Sequence, residues 1–127
     1  MPKREVIHVP GLGHGAQPIP LAVKVGSTLY TGSISGTDPA TGKISSDADQ
    51  QMVQAFKNLA TVVKAAGGDM SGIAKVEARI SDMSLRDLLN REWTATFPNP
   101  EDRPIRHTGQ AEMGGGQVVQ LEIIAHL

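Results

Sequence analysis

The sequence predicts an α+β fold: one mixed sheet with two helices on one of its faces. Three observations predict it. Short alternating runs and two helical stripes follow one another in the order β-ββ-α-β-α-ββ. Each helical segment is apolar along one side only, which suits packing on one face of a sheet. The final run is apolar on both sides, with Val118 and Ile124 on one and Val119, Leu121 and Ile123 on the other. Two helices cover one face, so the second face asks for another subunit. An open apolar face of that size is rare in a monomer, and a homo-oligomer is expected.

Residues 6–9 form a short β-type run that Pro10 stops, and residues 11–20, rich in Gly and Pro, read as a loop. Residues 21–25 and 28–35 read as a hairpin around Gly26-Ser27, and residues 37–42 as a turn cluster. Ser46 followed by Asp49 resembles a capping box and opens the first helix. Its stripe is Met52, Ala55, Phe56, Leu59, Val62, Val63 and Ala66, and Gly67-Gly68 is a fitting stop. Residues 73–81 alternate, with Val76, Ala78 and Ile80 opposite Lys75, Glu77 and Arg79. A second helix, residues 84–96, buries Leu85, Leu88, Leu89 and Trp93, and Pro98 and Pro100 end it. Residues 103–127 read as a closing hairpin: a strand over 104–112, a Gly-rich turn over 114–116 and a strand over 117–125.

A chain of 127 residues fits a single domain spanning 1–127. The net charge of -1, without a run of like charge, argues against a nucleic-acid surface, and one Trp, one Tyr and two Phe make a poor base-stacking platform. The absence of cysteine excludes disulfides, thiolate catalysis and Cys-ligated zinc. Met1-Pro2-Lys3-Arg4-Glu5 is polar with no apolar stretch behind it, and no run approaches a membrane span, so a cytoplasmic location without membrane association is expected. His8, His14 and His126 have no mutual spacing that suggests metal ligands. The Gly11-Leu12-Gly13-His14-Gly15 segment lacks the strand–loop–helix context of a phosphate loop and reads as a flexible loop.

Arg106 is the residue that asks for a function. A cation inside a strand is costly to bury unless something negative meets it, and a guanidinium fork suits a carboxylate. The two readings are a ligand carboxylate, or a structural ion pair with Glu112 or Glu122 at a subunit interface.

The chain also resembles a known family. The resemblance rests on Val23-x-Val25-Gly26 leading to Leu29-Tyr30-Thr31, on Asp38-Pro39-Ala40-Thr41-Gly42-Lys43, and on Ala65-Ala66-Gly67. It continues through Asp82 with Asn90 downstream, Phe97-Pro98, Pro104-Ile105-Arg106 and Leu121-Glu122-Ile123-Ile124-Ala125. Together these resemble the RidA (YjgF) family of enamine/imine deaminases, also described as endoribonuclease L-PSP or translation-inhibitor proteins. The resemblance implies a chorismate-mutase-like α+β fold and a homotrimer, with the sheets facing a central barrel and a ligand cleft at each subunit interface. It implies hydrolysis of 2-aminoacrylate and related enamines or imines to a 2-oxo acid and ammonia, with no cofactor.

By the same resemblance Arg106 falls on the arginine that binds the substrate carboxylate, and Asn90 on a cleft asparagine. The departures are as informative. Ile19 stands where the family has an aromatic hydroxyl, Gly32 where it has a serine (Ser33 follows), and Thr108 where it has a cysteine. Gln120 stands where an acid would position and activate water, with Glu122 two residues on. A one-residue change of strand register turns every side chain to the other face, so the register decides which of Gln120 and Glu122 meets Arg106. The candidate catalytic residues are therefore Gln120, Glu122 and Thr108, and the candidate substrate-binding residues Arg106, Asn90, Gly32 and Ile19. The alternative function is a non-catalytic binder of small carboxylates or a scaffold. Ribonuclease activity finds no basic patch, few aromatics and no paired histidines to support it.

Overall fold

Seven strands form one sheet, in the computed structural model, which describes residues 3–127; Met1 and Pro2, read above as part of a polar N-terminus, lie outside the described residues. The strands are β1 (Arg4–Ile7), β2 (Ala22–Val25), β3 (Thr28–Thr31), β4 (Ile34–Ser35), β5 (Ile73–Ile80), β6 (Ile105–Gln110) and β7 (Val119–His126). Their order is β1-β2-β3-β7-β5-β6, and β4 also pairs with β7. The helices are α1 (Ala48–Ala65) and α2 (Arg86–Thr96), with one 3₁₀ turn before β5 and another before α2.

The closing hairpin does not form. β6 runs parallel to β5, β7 runs antiparallel to β5, and β5 lies between them. The cause is the crossover through α2, which returns the chain parallel to β5 as a helical connection does. The Gly-rich stretch then carries the chain over to the other edge of β5. The run read as one strand over 28–35 also divides, with Gly32 and Ser33 interrupting β3 and β4. Both pieces pair with β7, Tyr30 with Ile124 and Ile34 with Leu121.

The cap of α1 is Asp47 rather than Ser46: its carboxylate accepts the amide of Asp49. The helix ends at the expected glycines. Gly67 takes a φ of 89°, and Gly68 N donates to Val63 O at 3.0 Å. The apolar stripe of α1 is buried as expected, but it includes two polar residues, Gln51 and Asn58, each 1% exposed. Both are satisfied, as buried amides must be. Gln51 donates to Ser45 O and Gly116 O and accepts from Val118 N. Asn58 donates to Ser35 O and Thr37 O and accepts from Gln54. α1 thereby fixes β4 on one side and the lead-in to β7 on the other. Gly36 permits this approach, because a Cβ there would run into Gln51 O.

The second helix begins later than expected, at Arg86, after a 3₁₀ turn capped by Asp82. Leu89 and Trp93 are buried, whereas Leu85 and Leu88 lie at the margin of the core. The core fills the space between the helices and one sheet face, with Val76, Ala78, Ile80, Val119, Leu121 and Ile123 pointing into it. Val118, expected beside Ile124, instead packs against this core.

Candidate functional site

Directly paired residues on neighbouring strands point to the same side of a sheet, so the pairing sorts the candidate residues by face. Arg106 is in register with Val76, and Val76 with Ile123; Thr108 is in register with Ala78, and Ala78 with Leu121. Arg106 and Thr108 therefore lie on the helix-covered face. Gln120 is in register with Arg79, and Glu122 with Glu77 and thence His107. These residues lie on the open face. One chain does not bring Arg106 together with either Gln120 or Glu122. The register question posed by the sequence thus dissolves, because β5 separates the two strands.

Arg106 sits on edge strand β6 under α2. Its guanidinium carbon lies 4.9 Å from the centre of the Trp93 ring, a stacked cation–π contact. Its Nη2 donates to Asn90 Oδ1 at 2.7 Å. Its Nη1 is buried and has no hydrogen-bond partner. Neither Glu112 nor Glu122 makes an ion pair with it among the described residues; Glu122 is held by Arg79 Nη1 at 3.2 Å instead. Burial, and then the positive charge of Arg86, pull the Arg106 pKa below its ordinary value. The result is a guanidinium fixed by two neighbours with its buried Nη1 unpartnered, a geometry that accepts a carboxylate or another oxyanion.

The other candidates lie apart. Gln120 is half-buried, and its amide donates to Gln117 Oε1 at 2.8 Å. Glu122 belongs to a charged network with Arg79, Glu77 and Lys75 on the open face. Ile19 is 56% exposed in the loop before β2 and lines a cavity of 380 Å³ with His14 and Leu21. Gly32 lies against the His14 ring: a Cβ at Gly32 would stand 3.1 Å from His14 Nε2. That nitrogen is buried without a partner. A separate cavity of 370 Å³ between the 3₁₀ turn before β5 and the chain after α2 does not include Arg106.

Two contributors were not singled out from the sequence as site residues, Trp93 beneath the guanidinium and Arg86 beside it. Their signal was present, since Arg86, Asn90 and Trp93 fall at i, i+4 and i+7 on one side of a helix. It becomes meaningful only when β6 is known to lie under that side.

Across the open face runs a row of paired positions: Val6, Val23, Tyr30, Ile124, Lys75 and Ile105. Val6 is 43%, Tyr30 44%, Ile124 38% and Ile105 67% exposed, so an apolar stripe lies uncovered on the single chain. Among the described residues no helix is long and apolar enough to cross a membrane.

A family model described as endoribonuclease L-PSP matches residues 16–127. The chain is 30% identical over 124 residues to the mouse protein named 2-iminobutanoate/2-iminopropanoate deaminase, covering 96% of this chain and 90% of that one. It is 28% identical over 127 residues to Reactive Intermediate Deaminase A, chloroplastic, from Arabidopsis thaliana, covering 98% of this chain and 67% of that one. The crystal structure of RidA from an Antarctic Psychrobacter matches with a TM-score of 0.88 at 28% identity, over 97% of this chain and 99% of that one. The strand order, the two helices on one face and these matches agree: this chain belongs to the RidA (YjgF, endoribonuclease L-PSP) family.

Proposed function

We propose that this protein hydrolyses a small reactive imine or enamine acid of the 2-aminoacrylate/2-iminopropanoate type to a 2-oxo acid and ammonia. The observation that carries the reading is the free, buried Nη1 of an Arg106 otherwise fixed by Asn90 and Trp93. The substrate carboxylate takes that donor, and the imine carbon then lies beside β6 near Thr108. Water adds its oxygen to this carbon and one proton to the nitrogen; the hydroxyl proton of that adduct then passes to nitrogen as the C–N bond breaks, leaving a carbonyl and ammonia. The work of the site is to hold carboxylate and water in register, since imine hydrolysis needs no difficult bond cleavage. The names of the deaminase relatives support the same reaction class.

In this reading the cleft lies between subunits of a homotrimer in the cytoplasm. Gln120 faces away from Arg106 in its own chain, so a neighbouring copy must supply it, together with Gly32 and Ile19. The exposed apolar row on the open face supports such a neighbour. No cofactor enters the scheme.

A second reading is a non-catalytic binder of small carboxylates. One observation favours it: Gln120 is an amide engaged by Gln117 and cannot serve as a base, and Glu122 is paired with Arg79. The test generates 2-iminopropanoate with an amino-acid oxidase and traps it with semicarbazide. Accelerated loss of the imine, reduced about 10–100-fold in kcat/KM by Arg106→Ala, supports hydrolysis, as a charge-assisted hydrogen bond of about 1.5–3 kcal/mol requires. No acceleration, with 2-oxo acid binding retained in calorimetry, establishes the binder.

A further inference from the structure

Arg106 is not the only cation at its site. Arg86 is the first residue of α2 and stands one turn before Asn90. Asn90 and Trp93 both touch Arg106, so the side of α2 that carries Arg86 is the side turned toward β6. Neither arginine makes an ion pair among the described residues. Arg86 is exposed, and its charge is the second influence, after burial, that lowers the pKa of Arg106. Two nearby acids make no ion pair with it among the described residues. Asp82 accepts from Ser84 N at 2.8 Å as the cap of the preceding turn. Asp87, one residue on, points about 100° around the helix from Arg86.

Two like charges gathered without a carboxylate repel each other in the empty protein and are relieved by an anion that answers both. A monocarboxylate fills the free Nη1 of Arg106 and leaves Arg86 unmatched. A second carboxylate on the same molecule matches it.

We propose that the site prefers a dicarboxylic 2-imino acid, with Arg106 holding the carboxylate beside the imine carbon and Arg86 the distal one. The proposal rests on the reading of Arg106 as a carboxylate anchor. The chemistry is unchanged: water oxygen bonds to the imine carbon, the C–N bond breaks, ammonia leaves, and the distal carboxylate takes no part. Because Arg86 is exposed, the preference weakens as salt rises.

Calorimetry on the full chain compares 2-oxoglutarate with 2-oxobutanoate as product-type probes, and native mass is recorded for each variant. The expected result is about tenfold tighter binding of 2-oxoglutarate. Arg86→Gln collapses that ratio toward one, Arg86→Lys keeps part of it, and Arg106→Ala weakens both acids. Equal affinities in the unaltered protein, or a ratio that survives Arg86→Gln, overturn the proposal. So does a change of assembly mass in Arg86→Gln, which assigns the arginine to a subunit contact. Turnover is read separately, with imines made by oxidases from glutamate and from 2-aminobutyrate. A dicarboxylate preference in binding with neither imine accelerated supports this site while sinking the hydrolase reading. Equal acceleration of both imines does the reverse.

Discussion

At the scale of the residue, the chemistry turns on how much each side chain is already committed. Arg106 is held on two sides, so its unpartnered buried Nη1 is directed rather than floppy. Gln120 is the opposite case, an amide satisfied by Gln117 that can orient a water but cannot take its proton. Gln120→Glu installs a base at that position and, on the hydrolase reading, is expected to raise kcat for 2-iminopropanoate, by up to the order of 10²–10⁴ where proton transfer limits the rate. A kcat in the variant no higher than in the unaltered protein would show that orientation alone suffices. The sequence singled out Arg106, Asn90, Thr108 and Gln120 as candidates. Their facing was not legible there, because it depends on a strand that intervenes between them.

At the scale of the element, α1 is the part that locks the sheet in place. The side chain of Gln51 meets three backbone groups, and two of them, on Gly116 and Val118, belong to the approach to β7. Gln51→Leu leaves those groups buried without partners, and a loss of about 2–4 kcal/mol in urea unfolding is expected. Unfolding free energy within about 0.5 kcal/mol of the unaltered protein would show that the turn finds other partners. Asp49 links the helices through two hydrogen bonds to Arg91, at 2.7 and 2.9 Å. The bonds to Arg91 hold the Asp49 carboxyl below its ordinary value near 3.8. A depressed folded-state pKa contributes stability above the unfolded value and loses it as pH falls through the folded one. Asp49→Asn is therefore expected to lower Tm slightly at pH 7, with the difference vanishing once the pH drops below the depressed pKa. A gap in Tm that persists at the acid end would show that the effect does not come from the charge of Asp49. The helical stripe of α1 announced its burial, whereas Gln51 and Asn58 within that stripe gave no sign that they would be clamps.

At the scale of the whole molecule, the unanswered surface is the open sheet face. Its apolar row crosses from β1 to β6, broken only by Lys75. Ile124→Arg places a charge at the centre of that row. If a second copy covers the face, the variant dissociates in native mass or light scattering and loses imine turnover together with assembly. A variant that keeps the mass of the unaltered protein would free the face from any role in association.

The sequence by itself determined the element types, the single-domain scale, the stripe that α1 buries, the glycine stop of that helix and the residue types available for chemistry. These follow from local rules: periodicity, capping and turn chemistry act over a few residues and are written in neighbouring positions. Only the tertiary structure decided that residues 103–127 are not a hairpin. A helix between two strands brings them back parallel, and the space beside β5 then goes to whichever strand best buries its apolar side. β7, with Val119, Leu121, Ile123 and Ala125 all buried, takes the central place, and β6, with Arg106 half-buried, takes the edge. The edge position leaves Arg106 under α2 with Nη1 unpartnered, and the register of β7 on β5 turns Gln120 to the other face of the sheet.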